Sequence, residues 1–581
     1  MEVIYKDNWL LFKFMNKTNA ITNLFKEALD LHNKNKLEKA EKIYLKILNT
    51  DPYNADCLNN LGLIHKSVGK KEKAENFFKK CLKFNPKNII SRFNLGNLYL
   101  LNKEFDKALH QYSELIKLNP NHFQAHNNIG IIYEKINSYK IAIKFYQKAL
   151  KINPNFFDSN YNLGNLYIKL KDYNSSRKYF VKSIELSPNN EEAYNLLGIV
   201  FYNLNLLDNA KKCFEKMIQL NKKNYKAYFN LGKMLNEEEK HEEAIEFFNK
   251  TLELNPKHSN ALNNLGIAYN KLSLTEKAKK SLERSIEINP KNPFSYNNLG
   301  IIYDNNYDTK KAKENFEKAL KIDPNFVDAL WNLQCCSKTI DEALIIFENI
   351  TKIDKNHTKS KIMKSALKAY KKDYSDYETL MKSNDKDHPY ARSIKWILSL
   401  KKLPKIFFNK WDFFKYALSL TIKERPFYEY GVRLGHSFKY LIQTFKKGYG
   451  FDTFTGLPED WHGSKEKGSY TSFGMVPKIK GGEFIVGKFE DTLPEFFSKK
   501  REIASLINFD ADLYSSTICS LNHSRKIIDN KTILVFDEFL MNSNWEKDEF
   551  KALNEFREKF NLNYEVLAVS LYTKQVAVRI I

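Results

Sequence analysis

The sequence lacks a long hydrophobic run. Its 581 residues hold no apolar stretch near the ~20 residues that a helix needs to cross a bilayer, so we expect no membrane span. A short apolar stretch at residues 9–14 is interrupted by Lys13 and precedes no small-residue cleavage site. Such a stretch argues against a secretory signal, and we therefore expect a cytoplasmic protein.

Cysteine is scarce and unpaired in its spacing. The chain has six cysteines, and they are Cys57, Cys81, Cys213, Cys335, Cys336 and Cys519. None of their spacings matches a zinc site or a disulfide framework. We expect reduced, buried thiols.

Acidic residues are fewer than basic ones, which leaves a formal net charge of +24. A charge of this size suggests nucleic acid as a partner when lysine and arginine are clustered. Almost all of the excess lies before Tyr430, as lysines dispersed beside many asparagines. That pattern is typical of a solvated helical surface, so we expect no specific nucleic-acid partner.

Proline is not abundant, but most of it falls on one grid with a period of 34 residues. The positions on the grid are Pro52, Pro86, Pro120, Pro154, Pro188, Pro256, Pro290 and Pro324, with Lys222 in the missing slot. A second column holds Gly62, Gly96, Gly130, Gly164, Gly198, Gly232, Gly266 and Gly300. A third holds Ala40, Ala74, Ala108, Ala142, Ala210, Ala244, Ala278 and Ala312, with Ser176 as its substitute. A fourth is mainly aromatic and holds Tyr44, Phe78, Tyr112, Tyr146, Phe180, Phe214, Phe248, Leu282 and Phe316.

Each column has a physical role in a pair of helices. Glycine and alanine in mid-helix let two antiparallel helices approach closely, the aromatic fills the gap between neighbouring units, and proline ends the second helix. The pattern resembles the tetratricopeptide repeat. It implies an α-solenoid superhelix over residues 21–357, with nine full repeats to residue 326 and a degenerate tenth that has Gln334 at the glycine position.

A regular column of asparagine lies two positions before the glycine column. It holds Asn60, Asn94, Asn128, Asn162, Asn230, Asn264, Asn298 and Asn332, and Leu196 is its one break. In repeats of this type that position faces the concave surface, and the column resembles the asparagine ladder of the O-linked N-acetylglucosamine transferase family. It predicts a groove that binds the backbone of a peptide or protein partner. The alternative is that each asparagine satisfies a neighbouring backbone or reflects the asparagine-rich composition.

After the repeats the pattern changes. Residues 358–405 predict a helical connector, and residues 406–581 alternate short apolar strands with helices, which is typical of an α/β sheet. The predicted strands are 427–432, 448–452, 483–486, 504–510, 532–537, 564–570 and 575–581. The last two are expected to form an antiparallel pair at the edge of the sheet.

The first two predicted strands end in residues suited to a nucleotide-like ligand. Gly431 and Gly435 stand where a ligand approaches the backbone at the carboxyl end of a strand, although tight helix packing also uses such glycines. Asp452 ends the second strand, where an acid accepts hydrogen bonds from a ribose diol or caps a turn.

Two further strand ends carry acids. They are Asp510 with Asp512, and Asp537 with Glu538. Converging carboxylates repel one another, which raises their pKa values unless a cation such as Mg²⁺ lies between them, so they indicate either a metal or a general base. Asp512 has a structural alternative as the cap of the following helix.

Five motifs in this order resemble the macrocin O-methyltransferase family over residues 411–581. They are YEYGVRLGHS at 428–437, GFDTFTGLPE at 450–459, GKFEDTLP at 487–494, DADLYSST at 510–517 and VFDEF at 535–539. The resemblance implies a Rossmann-like methyltransferase domain that uses S-adenosylmethionine.

The resemblance also assigns roles to individual residues. The methionine part of S-adenosylmethionine is expected near Glu429, Gly431, Gly435 and Ser437, and its ribose near Asp452. Mg²⁺ is expected at Asp510, Asp537 and Glu538, where it would bind the acceptor's vicinal hydroxyls, and either Asp510 or Asp512 is expected to accept the proton. Glu538 departs from the second Asp of the metal-dependent members, which places the metal requirement in question.

The sequence therefore predicts an S-adenosylmethionine-dependent O-methyltransferase. Its expected acceptor is a hydroxyl of a sugar, glycan or secondary metabolite, and its repeats are expected to bind a protein or peptide. One rival is a non-catalytic repeat scaffold that carries an inactive methyltransferase fold. A glycosyltransferase, suggested only by the type of repeat, is disfavoured because the residues after the repeats leave no room for two nucleotide-sugar domains.

Overall fold

The structure is a computed structural model that describes residues 19–460, 465, 467–472 and 474–581. The apolar stretch at residues 9–14 lies outside the described residues. The chain separates into two compact units, one ending at Pro256 and one from Lys257 to Ile581. Across the described ranges, every helix is too short or too polar to traverse a lipid bilayer.

The described part of the first unit consists of paired helices, as the repeat pattern predicts. The helices are α1 (19–33), α2 (Leu37–Thr50), α3 (Ala55–Ser67), α4 (Lys71–Phe84), α5 (Ile89–Leu101), α6 (Phe105–Leu118), α7 (Phe123–Lys135), α8 (Tyr139–Ile152), α9 (Phe157–Lys169), α10 (Tyr173–Leu186), α11 (Glu191–Asn203), α12 (Leu207–Leu220), α13 (Tyr225–Glu237) and α14 (His241–Leu254). The prediction of a helical repeat array is confirmed.

Helix ends follow from local chemistry. Helix α2 ends two residues before Pro52, since the residue before a proline is driven out of the helical region. The side chain of Asn54 then accepts a hydrogen bond from the backbone N–H of Cys57 and caps α3. Proline thus ends one helix, and the asparagine cap starts the next.

The glycine column lies beneath the aromatic column of the same repeat. A Cβ on Gly130 would lie 2.7 Å from Cδ1 of Tyr146, so the ring fills the space that glycine leaves. The prediction placed this ring between neighbouring repeats. In the structure the Tyr146 ring fills the space over Gly130 of its own repeat and shares a buried cluster with Leu163 and Leu166 of the next repeat. A hydroxyl of this column also reaches the next repeat, since Asn60 Nδ2 donates to the Tyr44 hydroxyl at 3.1 Å.

The second unit begins with more repeat helices. They are α15 (Ser259–Lys271), α16 (Thr275–Ile288), α17 (Pro293–Asn305), α18 (Thr309–Ile322), α19 (Val327–Leu333) and α20 (Ile340–Ile353), followed by α21 (Thr358–Tyr370), α22 (Ser375–Met381) and α23 (Pro389–Ser399). In the tenth repeat the first helix is shortened to seven residues and continues as a 3-10 turn at Gln334–Cys336. Gln334, at the glycine position, is fully buried and donates from Nε2 to the Trp331 carbonyl.

An eight-stranded sheet follows in the same unit. Its strands are β1 (Lys405–Phe407), β2 (Phe427–Tyr430), β3 (Gly448–Asp452), β4 (Gly482–Val486), β5 (Leu506–Phe509), β6 (Ile533–Phe536), β7 (Tyr564–Ser570) and β8 (Val576–Ile580), in the order β1-β7-β8-β6-β5-β2-β3-β4. Five helices accompany them, α24 (Lys410–Ser419), α25 (His436–Leu441), α26 (Phe489–Phe496), α27 (Tyr514–Ser524) and α28 (Glu549–Lys559). Strands β2 to β6 are parallel, and β8 runs antiparallel to both of its neighbours.

The seven predicted strands are present in this sheet, which confirms an α/β region. The prediction that the last two strands form the sheet edge is wrong, because β8 pairs with β6 and the three-residue strand β1 pairs in parallel with β7. Three residues that start with an exposed lysine carry no strand pattern in the sequence. The predicted domain boundaries at 357/358 and 405/406 stay predictions.

Candidate active site

The register of the sheet aligns the ends of four parallel strands. Tyr430 pairs with Phe451 on one side and with Phe509 on the other, and Phe509 pairs with Phe536. The next residues along the chain are therefore neighbours at one edge of the sheet. They are Asp452, Gly431, Asp510 and Asp537, in the order of their strands.

Gly431 is a position at this edge where only glycine fits. Its φ is +87°, and a Cβ there would overlap the Asp510 carbonyl oxygen and lie 2.6 Å from the carbonyl carbon. Gly435 also has a positive φ, +72°, and precedes α25. The two glycines let the backbone turn tightly over the end of β2.

Glu429 is the most unusual side chain of the site. It is fully buried on β2, where its Oε1 accepts a hydrogen bond from Asn508 Nδ2 at 2.8 Å, and its Oε2 has no hydrogen-bond partner among the described residues. Burial raises the pKa of Glu429 to about 7, against the lowering effect of the nearby Ser437 hydroxyl and of the Asn508 amide. A buried acceptor without a donor is costly, and a bound amine would satisfy it.

Asp452 holds the loop after β2. Its Oδ2 accepts the backbone N–H groups of Val432 and Arg433, both at 2.7 Å, and its Oδ1 accepts that of Phe454 at 2.6 Å. A carboxylate offers about four lone-pair sites, so these three bonds leave about one for a ribose hydroxyl. The predicted ribose role of Asp452 stays a prediction, and its backbone-holding role was missed.

A cavity of about 290 Å³ lies beside Asp452. The loop after β3 and the start of the loop after β4 line it, together with Lys467 and Gly468, and it includes Thr453, Gly456 and Gly487. The backbone bond from Gly487 N–H to the Asp452 carbonyl joins the two loops.

Asp537 is paired with two donors. Lys410 Nζ lies 3.1 Å from Asp537 Oδ1, and Gln575 Nε2 donates to the same oxygen. Burial lowers the pKa of Lys410, but the charges of Asp537, Asp510 and Glu429 outweigh burial and leave that pKa above its ordinary value. Lys410 is therefore a permanent cation at the strand ends.

Glu538 has a lysine of its own. Lys574 Nζ lies 2.8 Å from Glu538 Oε2. The backbone N–H of Glu538 donates to Oε2 of Glu549, a fully buried acid whose Oε1 has no hydrogen-bond partner among the described residues. Burial, with the neighbouring carboxylates, raises the pKa of Glu549 well above its usual range.

Asp510 and Asp512 lack such cations. In the described ranges, no hydrogen bond or salt bridge reaches either side chain. Burial and neighbouring carboxylates raise the pKa of both acids. Asp512 also adopts the left-handed conformation, with φ +59°, and such strain concentrates at functional sites.

The residues fit the two predicted ligands unequally. The buried Oε2 of Glu429 suits the amine of S-adenosylmethionine. The glycine turn suits the part of the ligand that approaches the protein backbone. Two of the three acids predicted for Mg²⁺ are already paired with lysines, and no group of three histidine, cysteine or acidic side chains within the described ranges is arranged to hold a metal ion. As arranged here, these donors do not fit Mg²⁺, and a requirement for Mg²⁺ in the reaction stays a prediction.

No sequence motif indicated Lys410, Lys574 or Glu549. Lys410 starts a helix more than one hundred residues before its partner acid, and a separation of 127 positions hides the pair from sequence patterns. Glu549 stands in a run of charged residues that resembles a solvated surface. Their roles emerge only from the folded sheet.

The asparagine column forms bonds between repeats. All eight of its members are half-buried, and five donate from Nδ2 to an asparagine 35 positions earlier. The pairs are Asn94 with Asn59, Asn162 with Asn127, Asn230 with Asn195, Asn298 with Asn263, and Asn332 with Asn297. The other three donate to different acceptors: Asn60 to the Tyr44 hydroxyl, Asn128 to Asn97 and the Tyr112 hydroxyl, and Asn264 to the Asn260 carbonyl.

Among the described bonds, only Asn264 satisfies a backbone carbonyl as the alternative proposed, and the other seven asparagines donate to side chains of the preceding repeat. Each amide has two N–H donors and one oxygen, so a bond of this kind still leaves hydrogen-bonding capacity. Peptide binding by the asparagine column stays a prediction. The adjacent Asn-Asn pairs, such as 59–60 and 127–128, were the available sequence signal for the partner column.

Comparison with known proteins identifies the repeats. Models of the tetratricopeptide repeat match residues 55–88, 90–122, 123–156, 157–190, 191–224, 224–291 and 281–314. This region is therefore a tetratricopeptide-repeat array. No curated protein matches the chain.

Several solved structures are similar over the repeats. YrrB, described as a tetratricopeptide-repeat protein with an unusual peptide-binding site, is 26% identical, covers 32% of this chain and 95% of its own, and has a TM-score of 0.28. A tetratricopeptide repeat protein from Parabacteroides merdae is 23% identical, with 43% and 99% covered and a TM-score of 0.32. Yeast Tom70 is 16% identical, with 63% and 100% covered and a TM-score of 0.37.

Proposed function

We propose that the chain is an S-adenosylmethionine-dependent O-methyltransferase whose repeats bind a protein or peptide partner. The acceptor is a hydroxyl of a sugar, glycan or secondary metabolite. The observation that carries the proposal is the buried Glu429, whose Oε2 has no partner among the described residues, beside the obligatory glycine turn of Gly431.

The order of the strands supports a Rossmann-like class for the sheet. Counted from β2, the five parallel strands follow the order 3-2-1-4-5, and the direction of the order changes between β2 and β5. In open α/β sheets a ligand binds outside the carboxyl ends of the strands at this switch point. Gly431 and Asp510 directly follow those two strands.

The chain's own residues supply binding and proton transfer. S-adenosylmethionine, when bound, supplies a methyl group on a positively charged sulfur. Glu429 would accept a hydrogen bond from the ligand's amine. Gly431 would let the ligand approach the backbone closely. Asp512 or Asp510 would accept the acceptor hydroxyl's proton, because their raised pKa values make them stronger bases than an ordinary carboxylate.

The repeats support a role in protein interaction. Repeat arrays of this type present extended surfaces to partners, and the half-buried asparagines retain hydrogen-bonding capacity on one such surface. The identity of the partner is set by features beyond this column, because the asparagines repeat with nearly the same chemistry.

Calorimetric titration of S-adenosylmethionine and S-adenosylhomocysteine into the full chain tests the proposal. The key variant is Glu429→Gln, which keeps the shape and the bond from Asn508 but replaces the free acceptor with a donor. We expect wild-type binding and a loss of about tenfold or more in affinity in the variant. The matched control is Glu483→Gln, an exposed acid of the same sheet, and it should bind as wild type does.

Absence of binding to the wild-type chain would contradict the enzyme proposal. The non-catalytic repeat scaffold would then be the better account, since the repeats are established independently of the site. Equal losses in the two variants would instead show that Glu429 has no specific role.

A further inference from the structure

Two lysines face the strand-end acids that would otherwise hold a cation. We propose that the ammonium groups of Lys410 and Lys574 take the place of a divalent metal at Asp537 and Glu538, so that the site works without resident Mg²⁺. The inference rests on the same strand ends as the proposed function, but its test reads metal binding and not methyl transfer.

The Asp537 pair occupies one of the two carboxylate oxygens, Oδ1. Its Oδ1 accepts both from Lys410 Nζ, at 3.1 Å, and from Gln575 Nε2. A carboxylate oxygen has about two lone-pair directions, and both are used at this atom. A cation would have to displace the lysine or the glutamine before it could bind this oxygen.

The Glu538 pair is fixed by its loop. Lys574 lies between β7 and β8 with φ +66°, a left-handed conformation that residues with a Cβ rarely adopt. Its neighbour Gln575 is fully buried and contacts Asp537. One short loop therefore brings donors to both acids.

The ninth repeat holds the segment around Lys410. Asn409 Nδ2 donates to Asp304 Oδ1 at 2.8 Å, and Trp411 Nε1 donates to the Asp304 carbonyl at 2.9 Å. The ring of Tyr307 meets that of Trp411 edge-on at 4.0 Å between centroids. Both chain neighbours of Lys410 thus contact a repeat helix or the turn that follows it. These contacts fix the position of the lysine at the strand ends.

Tyr307 is itself a departure from its repeat column. The turn between the two helices of a repeat places one residue in the left-handed region, and these residues are Asn35, Gly69, Lys103, Asn137, Lys171, Asn205, Glu239, Ser273 and Tyr307. Only the ninth repeat has a bulky aromatic there. Its hydroxyl donates to the His436 carbonyl at 2.5 Å, at the start of α25. The same repeat therefore contacts both the segment of Lys410 and the loop that carries the glycines.

The proposal has a consequence for the acceptor. A divalent cation selects vicinal hydroxyls because it is chelated by both of them. An ammonium group is a point charge with three rotatable N–H donors, and it does not chelate a pair of hydroxyls. The site should therefore accept an isolated hydroxyl.

Titration of Mn²⁺ into the full chain, followed by the loss of the free-ion signal in electron paramagnetic resonance, tests the proposal. Each titration is compared with that of Asp537→Asn, so that binding elsewhere on the chain is subtracted. We expect no saturable binding at the strand ends of the wild type up to millimolar Mn²⁺. The double variant Lys410→Met, Lys574→Met should bind Mn²⁺ at least about tenfold more tightly than the wild type, because its acids lose the ammonium groups that pair with them.

The matched control is Lys402→Met with Lys447→Met, which removes two lysines that pair with Glu565 and Glu502 outside the site. It should behave as wild type. Saturable wild-type binding that Asp537→Asn abolishes would overturn the proposal, as would a folded double variant that binds no more Mn²⁺ than the control. If the double variant does not fold, each single lysine variant is read in its place by the same criteria.

Discussion

The repeats before Pro256 and the α/β sheet bury polar side chains in different ways. In the described part of the first unit the buried polar groups are histidines, hydroxyls and amides, such as Asn127, and none is a carboxylate. In the sheet region they include Glu429, Asp548 and Glu549. The repeats use neutral groups to bind one repeat to the next, whereas the sheet concentrates buried charge at the ends of its strands.

This difference separates architecture from chemistry. A buried amide is satisfied by a partner of the same kind, as Asn162 is by Asn127 across neighbouring repeats. A buried carboxylate with a free oxygen destabilises the fold unless a ligand uses it. The region whose buried carboxyl groups keep an oxygen without a hydrogen-bond partner, as at Glu429 and Glu549, is thus the region to examine for function.

The largest expected effect comes from a comparison of two glycines with positive φ. Gly431→Ala should abolish S-adenosylmethionine binding, because its Cβ would overlap the Asp510 carbonyl. Gly69→Ala, in a repeat turn with φ +73° and no atom within 4 Å of the added Cβ, should leave binding intact and cost about 1–2 kcal/mol of stability. Calorimetry and denaturant unfolding measure the two effects. Equal binding by both variants would remove the distinction between the two regions.

Overpacking of a repeat should lower the free energy of unfolding without a change in ligand binding. Gly130→Ala places a methyl group 2.7 Å from the ring of Tyr146, and we expect a loss of about 1–3 kcal/mol. The exposed Lys140→Ala on the next helix is its control and should be near neutral. Chemical denaturation followed by circular dichroism measures both. An unchanged midpoint in Gly130→Ala would mean that the aromatic column is not close-packed.

The pH dependence of ligand binding should report Glu429. Its pKa of about 7 means that the carboxylate form grows as pH rises, so S-adenosylmethionine should bind about tenfold more weakly near pH 6 than near pH 8. Glu429→Gln should remove this dependence. Calorimetry across this range is the measurement, and a pH dependence that survives in the variant would assign the titration to another group.

The same shift affects stability with a defined sign. Glu429 holds its proton more tightly in the folded chain than in the unfolded chain, where its pKa is near 4.5. Its contribution to the free energy of unfolding is therefore fully present below about pH 4.5 and decreases as pH rises through about 7. Comparison of wild type with Glu429→Gln isolates this contribution.

The smallest effect should come from the amides between repeats. Asn162→Ala removes the bond to Asn127 and should cost about 1 kcal/mol in denaturant unfolding without a change in S-adenosylmethionine affinity. The matched control is Asn264→Ala, because Asn264 bonds within its own helix to the Asn260 carbonyl. It should lose less stability than Asn162→Ala. A larger loss for Asn264→Ala would contradict the assigned bonds.

Sequence patterns predicted the repeats and the strand ends well, for physical reasons. Each repeat packs the same pair of helices, so the glycine of Gly130 and the aromatic of Tyr146 recur at the same positions in the other repeats. The strands are short apolar runs that end in glycine or acid, as at Gly431 and Asp510. The edge strand β1 was missed because three residues carry no periodicity.

Pairings between distant residues lay beyond sequence patterns. Lys410 meets Asp537, and Lys574 meets Glu538, only after the sheet has formed. Asp452 was predicted to face a ribose, but its bonds to backbone N–H groups depend on the shape of the loop after β2. A residue type indicates what chemistry is available, and the fold decides which partner takes it.

The most direct test is a crystal structure of the full chain with S-adenosylhomocysteine. The account predicts the ligand above the ends of β2 and β3, with its amine within hydrogen-bonding distance of Glu429 Oε2 and its ribose near Asp452. A ligand bound elsewhere, with Glu429 Oε2 still unpartnered, would contradict the account.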